Sequence, residues 1–319
     1  MMGIEGSMEK QNLRKAYGEA LVKLGAQDPR IVALEADLGK STMSCLFKEA
    51  FPERYFEMGI AEQNMASTAA GLALAGKIPF YNSFAVFASG RAYDQIRCSI
   101  AIPRANVKIC GSSCGLSDFG DGKTHQSIED ANIIKTIPNM TVLNPVDAVE
   151  TEKMMRAIVA LDGPAYIRIS RNDLPVYTPA DGDFAIGKIY PLRDGADAAI
   201  FATGAMVWKS MEAAEKLQSQ GVSAQVLNVS TLKPLRADEV LKYAAGKKAI
   251  VVAEEATKIG GLGQEIAAML CGELRVPFVH VGIDDEFGES ARDYEELLTK
   301  YGLSSDHVCA ALMQALGKN

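Results

Sequence analysis

Short apolar, β-rich runs alternate with helical segments along the chain, and this alternation constrains the fold more than any other feature. In the first half the runs fall at 31–35, 54–58, 78–83, 107–111, 141–144 and 165–170. They are apolar on both faces, as strands of a parallel sheet are when helices cover it on each side. The pattern breaks from Leu174 to Pro191, where Pro175, Pro179, Gly182, Gly187 and Pro191 leave no helical period. A second series follows, with strands expected at 198–202, 223–228, 249–253 and 277–281 and a final helix at 305–316. The sequence therefore predicts two doubly wound α/β domains, each with a mainly parallel sheet. The expected boundaries are a tail at 1–10, a first domain at 11–175, a linker at 176–191 and a second domain at 192–319. A length of 319 residues suits two such domains.

Composition narrows the class of function. Hydrophobic residues make up 48% and charged residues 23% of the chain, ordinary globular values. A net charge of -7, without a run of Lys and Arg, argues against a nucleic-acid or membrane-surface partner. The six cysteines, Cys45, Cys98, Cys110, Cys114, Cys271 and Cys309, are scattered and mostly in apolar segments. They read as reduced core thiols of a cytoplasmic protein, with no metal-ligand spacing. The first eight residues carry neither a basic nor an apolar stretch and are expected to be a short tail, neither signal nor anchor.

One carboxylate stands out. Glu62 lies between the strand expected at 54–58 and a small-residue helix that is apolar on nearly every side and expected to be buried. A buried carboxylate must be hydrogen-bonded, paired or protonated, and a protonated one can serve as an acid near neutral pH. The alternative is a helix-terminal charge complementing the macrodipole. A second candidate region is the loop after the strand at 107–111, which carries Asp121 and His125 four apart. Loops after strand C-terminal ends are where parallel sheets bind ligands.

Glycine-rich segments offer weaker signals. Gly260-Gly261-Leu262-Gly263 lacks the third glycine of a dinucleotide loop, where Ile266 stands, so helix-on-strand packing explains it as well. Gly120-Asp121-Gly122 begins like a magnesium and thiamine diphosphate signature but is not followed by its paired Asn. The turn Gly111 to Gly115 either binds an anion or makes a loop.

The ordered set Glu35-Ala36-Asp37-Leu38, Gly59-Ile60-Ala61-Glu62-Gln63, Ser83-Phe84-Ala85-Val86-Phe87, Asp121 to Gln126 and Ser170-Arg171 resembles the pyrimidine-binding domain of transketolase. Ser230 to Leu235, Glu254-Glu255 with Gly260 to Gly263, and Phe287 to Ala291 resemble that family's C-terminal domain. The resemblance runs from about Leu13 to Leu316, and the family's diphosphate-binding domain has no counterpart. The chain thus looks like the C-terminal subunit of a split transketolase.

That resemblance implies a cofactor, thiamine diphosphate, with Mg2+ held by the partner, so no metal ligands are expected in this chain. It implies that Glu62 hydrogen-bonds the aminopyrimidine ring nitrogen and activates the cofactor, and that a protonated Glu in an apolar pocket fills this role. Phe84 and Phe87, three apart at the start of a helix, would stack on the pyrimidine, and Asp37 would lie close by or serve as a turn residue. For the sugar, the resemblance implies Asp121 at a hydroxyl, His125 at the reacting carbonyl, Arg171 on a terminal phosphate, and Ser41 and Arg91 as further substrate contacts. Ser113 and Cys114 stand where transketolases usually place another His, which leaves open a sugar with a different terminal group. The implied partner is an N-terminal transketolase subunit in an α2β2 assembly. The implied reaction moves a two-carbon ketol unit from a ketose or ketose phosphate to an aldose. Alternatives are a deoxyxylulose-phosphate-synthase-like fragment, a 2-oxo acid dehydrogenase beta subunit, and a non-catalytic assembly subunit.

Overall fold

A computed structural model describes residues 9–318; most of the expected N-terminal tail lies outside the described residues. The strands of the first half are β1 (Lys10–Asn12), β2 (Ile31–Glu35), β3 (Tyr55–Glu57), β4 (Ile78–Phe84), β5 (Lys108–Ser112), β6 (Thr141–Leu143), β7 (Ala165–Ile169) and β8 (Asp173–Pro175). Those of the second half are β9 (Tyr190–Arg193), β10 (Ala198–Ala202), β11 (Ala224–Asn228), β12 (Thr231–Lys233), β13 (Ala249–Thr257) and β14 (Phe278–Ile283). Every strand expected from the alternation is present within a few residues. Its apolar character on both faces has a visible cause: β2, β4, β5 and β7 are buried at every position.

The first sheet has the order β12-β6-β7-β5-β4-β2-β3, and the second β14-β13-β10-β11-β9. All pairings in the first sheet are parallel except β12 with β6, and all in the second except β9 with β11. Two features differ from the expectation. Tyr190 and Pro191, placed in the linker, already pair in edge strand β9. Edge strands take a proline where the N–H is not needed, which is why its punctuation reads as a linker. In addition, β12 from the second half completes the sheet of the first, so the two halves share a sheet.

The halves are further joined by buried polar contacts. Glu150 accepts hydrogen bonds from Val146 N–H (2.7 Å), Asn228 Nδ2 (2.9 Å) and Ser230 Oγ (2.5 Å). Glu255 accepts from Leu116 N–H at 2.7 Å. The Gly111–Gly115 turn is held in this seam, since a Cβ on Gly115 would lie 2.5 Å from the Glu255 carboxyl carbon. Gly261 and Gly263 likewise have no room for a side chain, against Glu254 and the His280 ring. Close packing accounts for the glycine cluster that invites a nucleotide reading.

Burial raises the carboxyl pKa of Glu35, Glu150 and Glu255 from 4.5 to about 7 in each case. The folded chain therefore holds more protons than the unfolded one between pH 4.5 and 7. Stability from these groups is complete below the unfolded value and is lost as pH rises through about 7. Thermal unfolding should accordingly give a lower Tm at pH 8 than at pH 5.5, and Glu150→Gln should flatten that slope. A Tm that rises over this range in the wild type would contradict the assignment.

The helix Glu62–Leu74 is not buried all round. Met65, Ala66, Ala69 and Ala70 face the core, whereas Gln63, Asn64, Ser67, Gly71 and Leu74 are exposed. Small residues on its inner face let the helix sit close to β4. Of the six cysteines, Cys98 and Cys271 are exposed rather than in the core. None of the helices is long and apolar enough to cross a membrane among the described residues.

Candidate functional site

The expected site residues lie at the C-terminal ends of the parallel strands of the first sheet. Asp37 and Ser41 follow β2, Glu62 follows β3, Phe84 closes β4, and Phe87 and Arg91 come directly after it. Asp121 and His125 lie in the loop after β5, and Arg171 follows β7. In a parallel sheet, successive chain reversals bring these ends to one rim, the place where ligands bind.

Glu62 is 1% exposed and begins its helix, yet no side-chain cap bond is made there. Its two carboxylate oxygens instead accept from Arg91 Nη1, at 2.9 and 3.0 Å. The pocket is therefore not apolar, as the protonated-acid expectation requires. A guanidinium stands against the carboxyl group, and the Arg91 side chain that carries it is 43% exposed. Arg91, expected on the sugar, is committed to Glu62, and its guanidinium carbon lies 4.4 Å from the Phe87 ring centroid.

Phe84 is the last residue of β4 rather than part of a helix, and only Phe87 begins the helical run Phe87–Arg91. The two rings are nevertheless nearly parallel, 17° apart with centroids at 6.2 Å. His125 packs edge-on against both, at 6.1 and 5.4 Å. Its Nδ1 is 2.9 Å from Thr124 Oγ1, which orients the ring. Glu62, Arg91, Phe87, His125 and Phe84 thus form one continuous array.

A second group is built around Arg171. Its Nη1 donates to Asp118 Oδ2 at 2.9 Å, and Asp118 is 2% exposed. Burial raises the Asp118 pKa; Arg171 opposes this, while neighbouring Asp121 adds to it. Arg14, in the helix Leu13–Gln27, donates from Nη1 to the Ser41 carbonyl at 2.8 Å. Arg14 and Arg171 line the same cleft; burial and then Arg171 lower the Arg14 pKa, while Asp118 and Asp173 oppose this. Asp121 is exposed and His125 half-buried; the short turn Gly122–Thr124 between them links the two groups.

Asp37 has a φ of 62°, and its N–H donates to Glu57 Oε1 at 2.8 Å. The same oxygen takes the Gly59 N–H at 3.2 Å, so Glu57 ties the Asp37 turn to the segment leading into Glu62. Asp37 is thus a turn residue, at the end of β2. Sequence reasoning missed Arg14, Glu35, Glu57 and Asp118. Glu35 is fully buried and takes hydrogen bonds from Thr42 and Ser44, both at 2.6 Å, anchoring the Asp37 to Ser44 loop from beneath. The one available signal for Asp118 was its place in the Asp- and Gly-rich loop that carries Asp121.

Comparison with known proteins places this chain in a family. Residues 9–176 match the family described as "Transketolase, pyrimidine binding domain", and residues 187–308 match "Transketolase, C-terminal domain". A 6-deoxy-6-sulfo-D-fructose transketolase subunit from Clostridium sp. (strain MSTE9) is 42% identical, covering 96% of this chain and 95% of that protein. An apulose-4-phosphate transketolase subunit from Phocaeicola vulgatus is 34% identical, with 96% and 97% covered. A solved structure described as "Split gene transketolase, inactive beta4 tetramer" superposes with a TM-score of 0.88. It is 44% identical, and 96% of this chain and 98% of that one are covered.

Proposed function

Because the chain belongs to the transketolase family, as the C-terminal subunit of a split transketolase, we propose that it supplies half of a two-component active site. The assembled enzyme moves a two-carbon ketol unit from a ketose or ketose phosphate to an aldose. The observation that carries this reading is the continuous array Glu62, Arg91, Phe87, His125 and Phe84 at one sheet rim.

Thiamine diphosphate, when bound, supplies the carbanion stabilisation that such a transfer requires. The residues suit its pyrimidine end: a carboxyl group for a ring nitrogen, and paired aromatic rings that favour a flat heterocycle. Glu62 would share one proton with the ring nitrogen in a hydrogen bond. Arg91, whose side chain is 43% exposed, would have to leave the carboxyl group for the ring to bind there. Phe84 and Phe87 exclude water from that face.

His125 holds or moves a proton at the reacting carbonyl, using the ring nitrogen that Thr124 leaves available. Asp121 takes a sugar hydroxyl, Arg171 and Ser41 hold the far end of the sugar, and Asp37 closes the rim near the cofactor. Among the described residues no group of three or more His, Cys, Asp or Glu could hold a metal ion. We assign Mg2+ and the diphosphate to the N-terminal subunit in an α2β2 assembly in the cytoplasm. Ile60 and Leu74, 74% and 73% exposed at either end of the Glu62 helix, are where a second subunit would cover apolar surface. The similar split-gene chain described as an inactive tetramer of beta subunits supports the need for a partner.

The test is reconstitution. The purified chain should show no thiamine-dependent ketol transfer, and adding the N-terminal subunit from the neighbouring gene should restore it. Robust transfer by this chain alone would refute the two-component reading.

A further inference from the structure

We propose that Asp118 is a specificity-determining residue: by pairing with Arg171 it makes the distal end of the sugar site accept a singly charged terminal group of the sulfonate type in preference to a phosphate ester. This rests on the transketolase reading above and names the substrate class it serves.

Charge sets the preference. Two guanidiniums, Arg14 and Arg171, line one cleft at this end of the site, and on their own they would match a dianion. Arg171 already commits Nη1 to the carboxylate of Asp118 at 2.9 Å, and that carboxylate is 2% exposed, so water does little to screen it. Asp121 lies beside Asp118 and subtracts further. Arg14, Arg171 and Asp118 together carry one net positive charge, and Lys10 and Asp173, which line the same cleft, offset each other. A phosphate ester carries about -1.5 to -2 at pH 7, and its second charge would face Asp118. Like charges brought together at a desolvated contact are strongly disfavoured. A sulfonate presents three acceptor oxygens with a single charge.

The remaining donors are consistent with that demand. Arg14 Nε is buried without a hydrogen-bond partner among the described residues. So are Ser112 Oγ and Ser113 Oγ, where β5 ends. Ser112 is paired with Ile169 in β7, so Ser113 leaves the sheet beside the corner that carries Ser170 and Arg171. These hydroxyls are neutral donors that add hydrogen bonds to an oxyanion without adding charge.

The experiment uses the chain reconstituted with its N-terminal subunit and three donor ketoses identical except at the terminal carbon, which bears a hydroxyl, a sulfonate or a phosphate. With one common aldose acceptor, kcat/KM for the sulfonate should exceed that for the phosphate by about tenfold, with the hydroxyl sugar below the sulfonate. Asp118→Asn should shrink the sulfonate-to-phosphate ratio by about tenfold, a change of preference that a merely structural role would not produce. A wild-type preference for phosphate, equal use of the hydroxyl sugar, or an unchanged ratio in Asp118→Asn would each overturn the inference. Should the variant not assemble, the wild-type ranking decides alone. Absence of transfer from any ketose would sink the transketolase reading and this inference with it, whereas transfer with phosphate preferred sinks only this one.

Discussion

Glu62→Ala is expected to lower kcat of the reconstituted enzyme by about three orders of magnitude, the range a positioned proton donor or acceptor contributes. The loss should fall on turnover and not on folding. Arg91, the partner left behind, has a side chain that is 43% exposed, so removing the carboxylate strands no buried cation. Deletion of a buried carboxylate without such an outlet would be far more damaging. Circular dichroism and thermal unfolding of the variant should match the wild type, and co-purification with the N-terminal subunit should persist. Turnover near the wild-type rate in a correctly assembled variant would remove Glu62 from the chemistry and return it to the role of a helix-terminal charge.

The second large effect is structural. Asp130→Ala should destabilise the chain by about 3–5 kcal/mol, because it leaves the Arg168 guanidinium charged and buried. Arg168 and Asp130 are 2% and 0% exposed, with Nη2 and Oδ1 at 2.8 Å. Asp130 Oδ2 also accepts from Arg168 Nε at 2.9 Å and Tyr166 Oη at 2.7 Å. The same guanidinium donates to the carbonyls of Ser127 and Glu255, each at 3.3 Å, and so reaches across to the second half of the chain. Urea unfolding should show a lower midpoint in the variant. A stability within about 0.5 kcal/mol of the wild type would mean that water or a rearranged neighbour replaces the carboxylate.

Much of the fold is legible in the sequence because buried parallel strands advertise themselves. Runs such as Ile31–Glu35 and Ala198–Ala202 are buried on both faces and therefore apolar at nearly every position. Strands β1, β8, β9 and β12 lack that signature. They are short, lie at edges or form a separate pair, and carry Lys10, Asp173, Pro191 and Lys233. Nothing in their composition separates them from loops, and only the neighbour that accepts their hydrogen bonds defines them.

The candidate site divides in the same way. Glu62, Phe84, Asp121, His125 and Arg171 are visible because they sit in ordered motifs, and the motifs identify the family. Which residues they pair with is not visible, since an ion pair carries no local pattern. Arg91 meets Glu62 from 29 residues away, and Arg171 meets Asp118 across 53. The sequence by itself determined the alternation of elements, the two-domain α/β plan and the transketolase character, all of which rest on local periodicity and motif order. Tertiary structure alone decided that Glu62 is ion-paired instead of set in an apolar pocket, that one face of its helix lies open, and that Asp118 shares the guanidinium expected to hold the sugar. Charge acts through space, and the distances that set its strength exist only once the strands have brought their ends to one rim.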